Sequence, residues 1–304
     1  MTGLPSTPLV SICMPTYNGG RYLEEALRSA FAQTYPRLEI VVSDDRSSDA
    51  TLSIIERLRP EAPMPVHVYR HEPSGIGANW NNCVRQAEGA YIKFLFQDDL
   101  LAPDCVQRMM DLALTDPRIG LVYCRRKVLY DEADVSHREW LERYGTLHRS
   151  WAGFVVEEGV LDGRTYLRDP NFVQQPNNKV GEPTAVMLKK ECFERVGGFD
   201  TNLKQSLDYV YWYQVMRAYR IGFIDAELAT FRLHAEQATQ RNASAVDVVD
   251  PEVRKRLFLD QFGDFMHPDV RRVLLEQVTW YDRARLRLRG TVRRIFARSN
   301  RPPE

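Results

Sequence analysis

Four times within the first 115 residues, a short apolar run rich in strand-forming residues gives way to a segment with apolar residues at helical spacing. LVSICM (9–14) precedes EEALRSAFAQ (24–33), and LEIVVS (38–43) precedes DATLSIIERL (49–58). VHVYR (66–70) precedes ANWNNCVRQAEG (78–89), and AYIKFLF (90–96) precedes DCVQRMMDLALT (104–115). The runs are apolar without alternation, so both faces of each strand must be covered, and the intervening helices are long enough to serve as parallel crossovers. This pattern predicts an α/β fold with a Rossmann-like, mostly parallel central sheet and helices on both faces. Ligands of such sheets bind beyond the carboxyl ends of the strands. The unusual polar clusters of this region all fall there: Pro15-Thr16-Tyr17-Asn18, Asp44-Asp45, His71-Glu72 and Asp98-Asp99.

The last of these is the most demanding. FLFQDDLL (94–101) sets two like charges side by side in apolar surroundings, and a buried carboxylate without a partner costs several kcal/mol. A cation is expected beside Asp98 and Asp99.

Composition narrows the function classes. Lysine plus arginine equals aspartate plus glutamate at 41 each, so net charge does not point to a polyanionic partner. From residue 283 onward, however, there are eight arginines against one glutamate, leaving 33 basic and 40 acidic residues before it. That segment suits a solvated helix or peripheral contact with anionic lipid, and no nucleic-acid motif accompanies it. The five cysteines are scattered without C-x-x-C spacing, which favours neither disulfides nor zinc and fits a reducing cytoplasm. No signal peptide or membrane span is apparent, so the expected location is cytoplasmic, with the inner face of the cell membrane as a peripheral site.

Beyond residue 120 the pattern loosens. Residues 125–151 read as insertions over the site; PTAVMLKKECFERVGGFD (183–200) reads as strand, short helix and Gly-Gly turn. DYVYWYQVMRAYR (208–220) reads as helix and IGFIDAELATFRLH (221–234) as extended chain. The expected organisation is one main domain over 1–248, with halves at about 8–120 and 121–248, and a helical, Arg-rich extension over 249–304.

VSICMPTYNGGRYLEEALRSAFAQTYPRLEIVVSDDRSSDAT, GIGANWNNCVRQAEGAYIKFLFQDDLLAPD and GGFDTNLKQSLDYVYWYQVMRAYRIG together resemble the family 2 glycosyltransferases of GT-A fold across roughly residues 8–240. The resemblance implies a nucleotide-sugar donor with UDP, dTDP or GDP, and Mg²⁺ or Mn²⁺ against its diphosphate. It assigns Asp44 to the nucleobase, with Pro15, Thr16, Tyr17, Asn18 and Asp45 lining the same pocket. Gly75, Gly77 and Asn79 form a turn entering a helix, suited to a backbone cradle for phosphate or ribose. Asp98 aligns with the last aspartate of the family's metal-binding D-x-D, whose first position is Phe96 here. Gln97 and Asp99 flank it, Asp99 being suited to orienting a metal-bound water or a sugar hydroxyl. His234 corresponds to a histidine near the diphosphate or metal. Asp208 matches the aspartate that serves as base, with Leu207 in place of the preceding glutamate. Glu182 and Trp212 are candidates to face the acceptor, although core packing suits Trp212 better.

The function so implied is inverting transfer of a sugar to a hydroxyl of a surface polysaccharide or lipid-linked oligosaccharide. Phe96 and Leu207 motivate the competing reading of a nucleotide-sugar-binding protein with impaired catalysis. A dinucleotide-dependent oxidoreductase is disfavoured, because no G-x-G-x-x-G follows the first strand.

Overall fold

The computed structural model describes residues 7–203, 206–234 and 251–285. The first four strands, β1 (Val10–Thr16), β2 (Leu38–Asp44), β3 (Val66–Arg70) and β4 (Tyr91–Phe94), lie where the apolar runs predict them. They pair in parallel in the order β3-β2-β1-β4. Helices α1 (Leu23–Phe31), α2 (Thr51–Leu58) and α3 (Ile76–Gln86) are the crossovers. β1 and β2 are buried along their whole length, as two covered faces require.

The sheet then continues through residues distant in sequence. After β5 (Leu100–Leu101) and α4 (Cys105–Ala113) come β6 (Ile119–Leu129), α5 (Val135–Tyr144), β7 (Gly159–Asp162) and α6 (Gly163–Leu167). β8 (Val186–Lys189), α7 (Glu191–Val196), α8 (Leu207–Met216) and β9 (Arg220–Arg232) follow. The full order is β3-β2-β1-β4-β8-β6-β9-β5, with β7 also on β9. β6 and β9 run with the first four strands, whereas β8, β5 and β7 run against them. The sheet is therefore mostly parallel.

Two apolar cores flank it. One packs α1, α2 and α4 against β1 and β2. The other is aromatic, joining Trp80 and Phe94 to Phe199, Tyr211 and Trp212. The extension expected from residue 249 is helical over Pro251–Phe262 and Pro268–Glu276. It does not stand apart: Phe258 and Phe262 stack around Phe172 at 5.4 and 5.7 Å and belong to the second core. The arginines from 287 onward lie outside the described residues.

Candidate active site

The carboxyl ends of β1 and β2 are tied into one loop pair. Asp44 is fully buried, and both of its oxygens are occupied. Oδ2 accepts from Thr16 Oγ1 at 2.9 Å and Ser47 Oγ at 2.6 Å, while Oδ1 accepts from the Ser47 amide at 2.9 Å. Asn18, with φ at 48°, accepts from the Ser48 amide at 2.8 Å and donates its own amide to Ser47 Oγ. Asp45 has different company. Its Oδ1 lies 3.5 Å from His71 Nδ1 and accepts from the Ser74 amide at 3.3 Å. Burial pushes the Asp45 carboxyl up, with His71 opposing.

Asn79, on α3, braces the same corner by donating to the Thr16 carbonyl at 3.2 Å and bonding His71 Nε2 at 3.2 Å. Gly75 begins that helix at φ 90°, and a Cβ there would meet open space. Tyr17 stands 48% exposed at the loop tip. Gln97 exchanges two hydrogen bonds with the Tyr17 backbone, fastening this loop to the Asp98 turn. Pro15 is buried within β1.

At the end of β4 the two aspartates diverge. Asp99 is fully buried, accepting from Thr184 Oγ1 at 2.6 Å and the Arg232 amide at 3.1 Å. Burial first, and Asp98 second, push its carboxyl well above the usual range. Asp98 faces the other way: its Oδ2 lies 3.0 Å from His234 Nε2. Arg232 clamps the turn, its Nε donating to the Asp98 carbonyl at 3.0 Å and its guanidinium lying 4.4 Å from the Tyr22 ring centre. His234 and Arg232 thus stand beside the pair, the Arg232 guanidinium also reaching Glu25 at 2.7 Å. Among the described residues, the buried His234 Nδ1 has no hydrogen-bond partner, and the Asp98 side chain is 22% exposed. This oxygen and nitrogen donor set fits a divalent cation that takes its remaining ligands from phosphate and water. Among the described residues, no three His, Cys, Asp or Glu side chains converge into a complete protein-only site.

Asp208 lies in the first turn of α8, and its Oδ2 accepts from Asn178 Nδ2 at 2.9 Å. Desolvation pushes its carboxyl up to about 7, reinforced by the nearby charge of Glu182. A carboxylate that is part protonated at neutral pH is suited to taking a proton. Glu182 itself is committed to Arg126, whose guanidinium also donates to the Tyr144 carbonyl at 3.0 Å and lies 5.6 Å from the Trp140 ring centre.

The model of the sequence family described as Glycosyl transferase family 2 matches residues 11–197. The chain belongs to this family. A Mycobacterium tuberculosis protein, MT1568, is 33% identical over 247 residues, which are 78% of this chain and 71% of that protein. Among solved structures, residues 1–349 of Staphylococcus aureus TarS in complex with UDP-GlcNAc superpose with a TM-score of 0.59 at 21% identity. That match covers 82% of this chain and 64% of TarS 1–349. The mannosyltransferase PcManGT of Pyrobaculum calidifontis, in complex with GDP-Man and Mn²⁺, superposes with a TM-score of 0.58 at 20% identity, covering 95% of this chain and 81% of that one. These likenesses establish the GT-A fold of this family 2 glycosyltransferase.

Most of the expected loop residues meet as pairs: Asp98 with His234, Gln97 with Tyr17, Asn79 with Thr16. Two of the acids are more enclosed than their neighbours. Asp44 is fully buried and accepts three hydrogen bonds from Thr16 and Ser47, whereas Asp45, 8% exposed, accepts from the Ser74 amide beside His71. Asp99 does not point outward to water or sugar but anchors Thr184 and β9. Of the acceptor candidates, Trp212 is fully buried and Glu182 is held by Arg126. Phe96 stands in place of an acid with its ring 5.0 Å from Trp80, and Leu207 is buried with Cδ1 3.3 Å from where a Gly77 Cβ would lie. Asn178, Thr184 and Arg232 were absent from the sequence-based set. Only Asn178 carried a signal, an Asn followed by Gly181 in a turn-like NKVG.

Proposed function

We propose that the protein is an inverting glycosyltransferase that moves a sugar from a nucleotide diphosphate to a hydroxyl of a surface polysaccharide or lipid-linked oligosaccharide. The observation that carries this is Asp208, an acid poised to ionise near neutrality, while the separate Asp98–His234 pair offers a cation site. Asp208 takes the proton of the acceptor hydroxyl as that oxygen bonds to the anomeric carbon. The bond from that carbon to the diphosphate breaks, and a single displacement inverts the configuration. Mg²⁺ or Mn²⁺, held by Asp98 and His234, would supply charge neutralisation for the departing diphosphate. The nucleotides named with TarS and PcManGT, and the Mn²⁺ of the latter, support this donor class. Phe96 and Leu207, which motivate the competing reading of impaired catalysis, are both packed into apolar surroundings.

Screening nucleotide sugars by thermal shift with Mn²⁺, followed by a transfer assay on the best binder, tests this reading. A ligand at 100 times its Kd adds about 2.7 kcal/mol of stability. Binding without any transfer or donor hydrolysis would favour the impaired-catalysis reading.

The nucleobase contact belongs to Asp45 on this reading. Asp45→Asn should weaken nucleotide binding by about 1.5–3 kcal/mol with little change in Tm. Asp44→Ala should instead lower Tm, because it strands the Thr16 and Ser47 donors. Calorimetric titration of both variants separates the roles; equal affinity loss without a Tm difference would contradict the assignment.

Peripheral contact with anionic membrane belongs to the same proposal. Deleting residues 286–304, which keeps the Arg285–Asp260 pair at 2.8 Å, should release the protein from acidic vesicles while preserving transfer to a soluble acceptor. Unchanged sedimentation with the vesicles would remove this element.

A further inference from the structure

One short stretch, residues 178–184, touches both chemical poles of the site. At its start Asn178 donates to Asp208; at its end Thr184 Oγ1 donates to Asp99, the neighbour of Asp98. Every hydrogen-bonding position of the Asn178 amide is used. Oδ1 accepts from the Val180 and Gly181 amides at 3.1 and 2.9 Å, and Nδ2 donates to the Gly181 carbonyl and Asp208, both at 2.9 Å.

The stretch is held independently of Asp208. Trp212, one helical turn beyond Asp208, donates Nε1 to the Gly181 carbonyl at 3.1 Å. The buried Lys179 gives Nζ to the carbonyls of Gln174 and Pro176 at 2.6 and 2.7 Å. At the far end Lys93, fully buried, donates to the Thr184 carbonyl. Asn178 is therefore a fixed donor, and Asp208 is the side chain it holds.

We propose that Asn178 is a positioning residue for Asp208: it fixes the carboxylate in one orientation and stabilises its ionised form. This rests on Asp208 being the base. A hydrogen bond to the ionised form favours ionisation, so Asn178 works against the desolvation that raises Asp208. Among the described residues, the other ionisable groups near Asp208 are Glu182, paired with Arg126, and Tyr209 and Tyr213, whose phenols burial pushes up, with Arg254 beyond Tyr209.

Asn178→Asp is the discriminating variant. It keeps the oxygen that caps the Val180 and Gly181 amides and replaces the donor facing Asp208 with a like charge. Expected is a shift of the acidic limb of the kcat–pH profile upward by about one unit or more, lowering kcat at pH 7 about five-fold, with nucleotide Kd unchanged. Trp212→Phe, which loosens the same stretch without removing the donor, should leave the limb in place. An unshifted limb in Asn178→Asp, with a uniform drop in kcat or Tm, would overturn the proposal while leaving the base assignment standing. Near-wild-type turnover in Asp208→Asn would overturn the base assignment itself. If both assignments hold, Asn178→Asp has no further effect on the residual rate of Asp208→Asn.

Discussion

Asp208→Asn is expected to lower kcat by about 10²–10⁴-fold, the usual weight of a positioned general base. Asparagine keeps the shape and polarity of the side chain, and its Oδ1 can still accept from Asn178, so the fold should be undisturbed. Nucleotide affinity should stay near wild type, because the contacts proposed for nucleobase and diphosphate lie at β1, β2 and β4. In the unaltered protein, kcat should fall below a pH near 7, where desolvation sets the Asp208 proton affinity. The sign is that of a base: protonation removes activity, so the profile is flat above this limb and declines beneath it. The same shift acts on stability in the opposite sense. A carboxyl raised in the folded state binds its proton more tightly there, so its contribution diminishes as pH rises from the unfolded carboxylate value toward about 7. Single-turnover rates and nucleotide titrations on one preparation check all of this; near-wild-type turnover would remove Asp208 from the chemistry.

Asp98→Ala should abolish Mn²⁺-dependent binding of the donor nucleotide, a loss of about 10²-fold or more. Even outer-shell partners of a metal typically cost 10–100-fold, and Asp98 is proposed as a direct ligand. Stability should change little, since the lost His234 contact is offset by relief of the push that Asp98 exerts on the buried Asp99 carboxyl. Asp99→Ala should instead lower stability, stranding the Thr184 hydroxyl and the Arg232 amide. Calorimetry with and without Mn²⁺, beside a thermal melt of each variant, distinguishes the two neighbours. Unaltered Mn²⁺-dependent affinity in Asp98→Ala would sink the metal assignment.

The strand ends of the first half were legible because continuous apolar runs admit one reading, a covered parallel sheet, and such sheets present ligand groups at one edge. The choice between neighbouring acids was not. Asp44 and Asp45 are both polar residues at a strand end, and only the positions of Thr16 at the end of β1 and Ser47 after β2 show which carboxyl is the more fully bonded. The same holds at 98 and 99, where Thr184 and Arg232 arrive from 85 and 133 residues away. Asn178 was missed for a related reason: its amide looks like turn chemistry in sequence, and its second donor acquires meaning only when α8 docks beside it. The C-terminal helices were legible as helices, but Phe258 and Phe262 reveal their membership of the main core only through Phe172 and Tyr213.

The clamp by Arg232 bears on how such a catalyst can be rearranged. The loops at β1 and β2 are braced from within the first half, so a transplanted segment spanning residues 8–120 could carry its nucleobase contacts into a chimera. The Asp98–Asp99 turn could not travel with it, because its two carboxylates and one carbonyl are secured by Arg232, His234 and Thr184. On the proposed assignment, donor preference for the base is thus exchangeable in modules, whereas the phosphate end of the donor is inherited jointly by both halves of the chain.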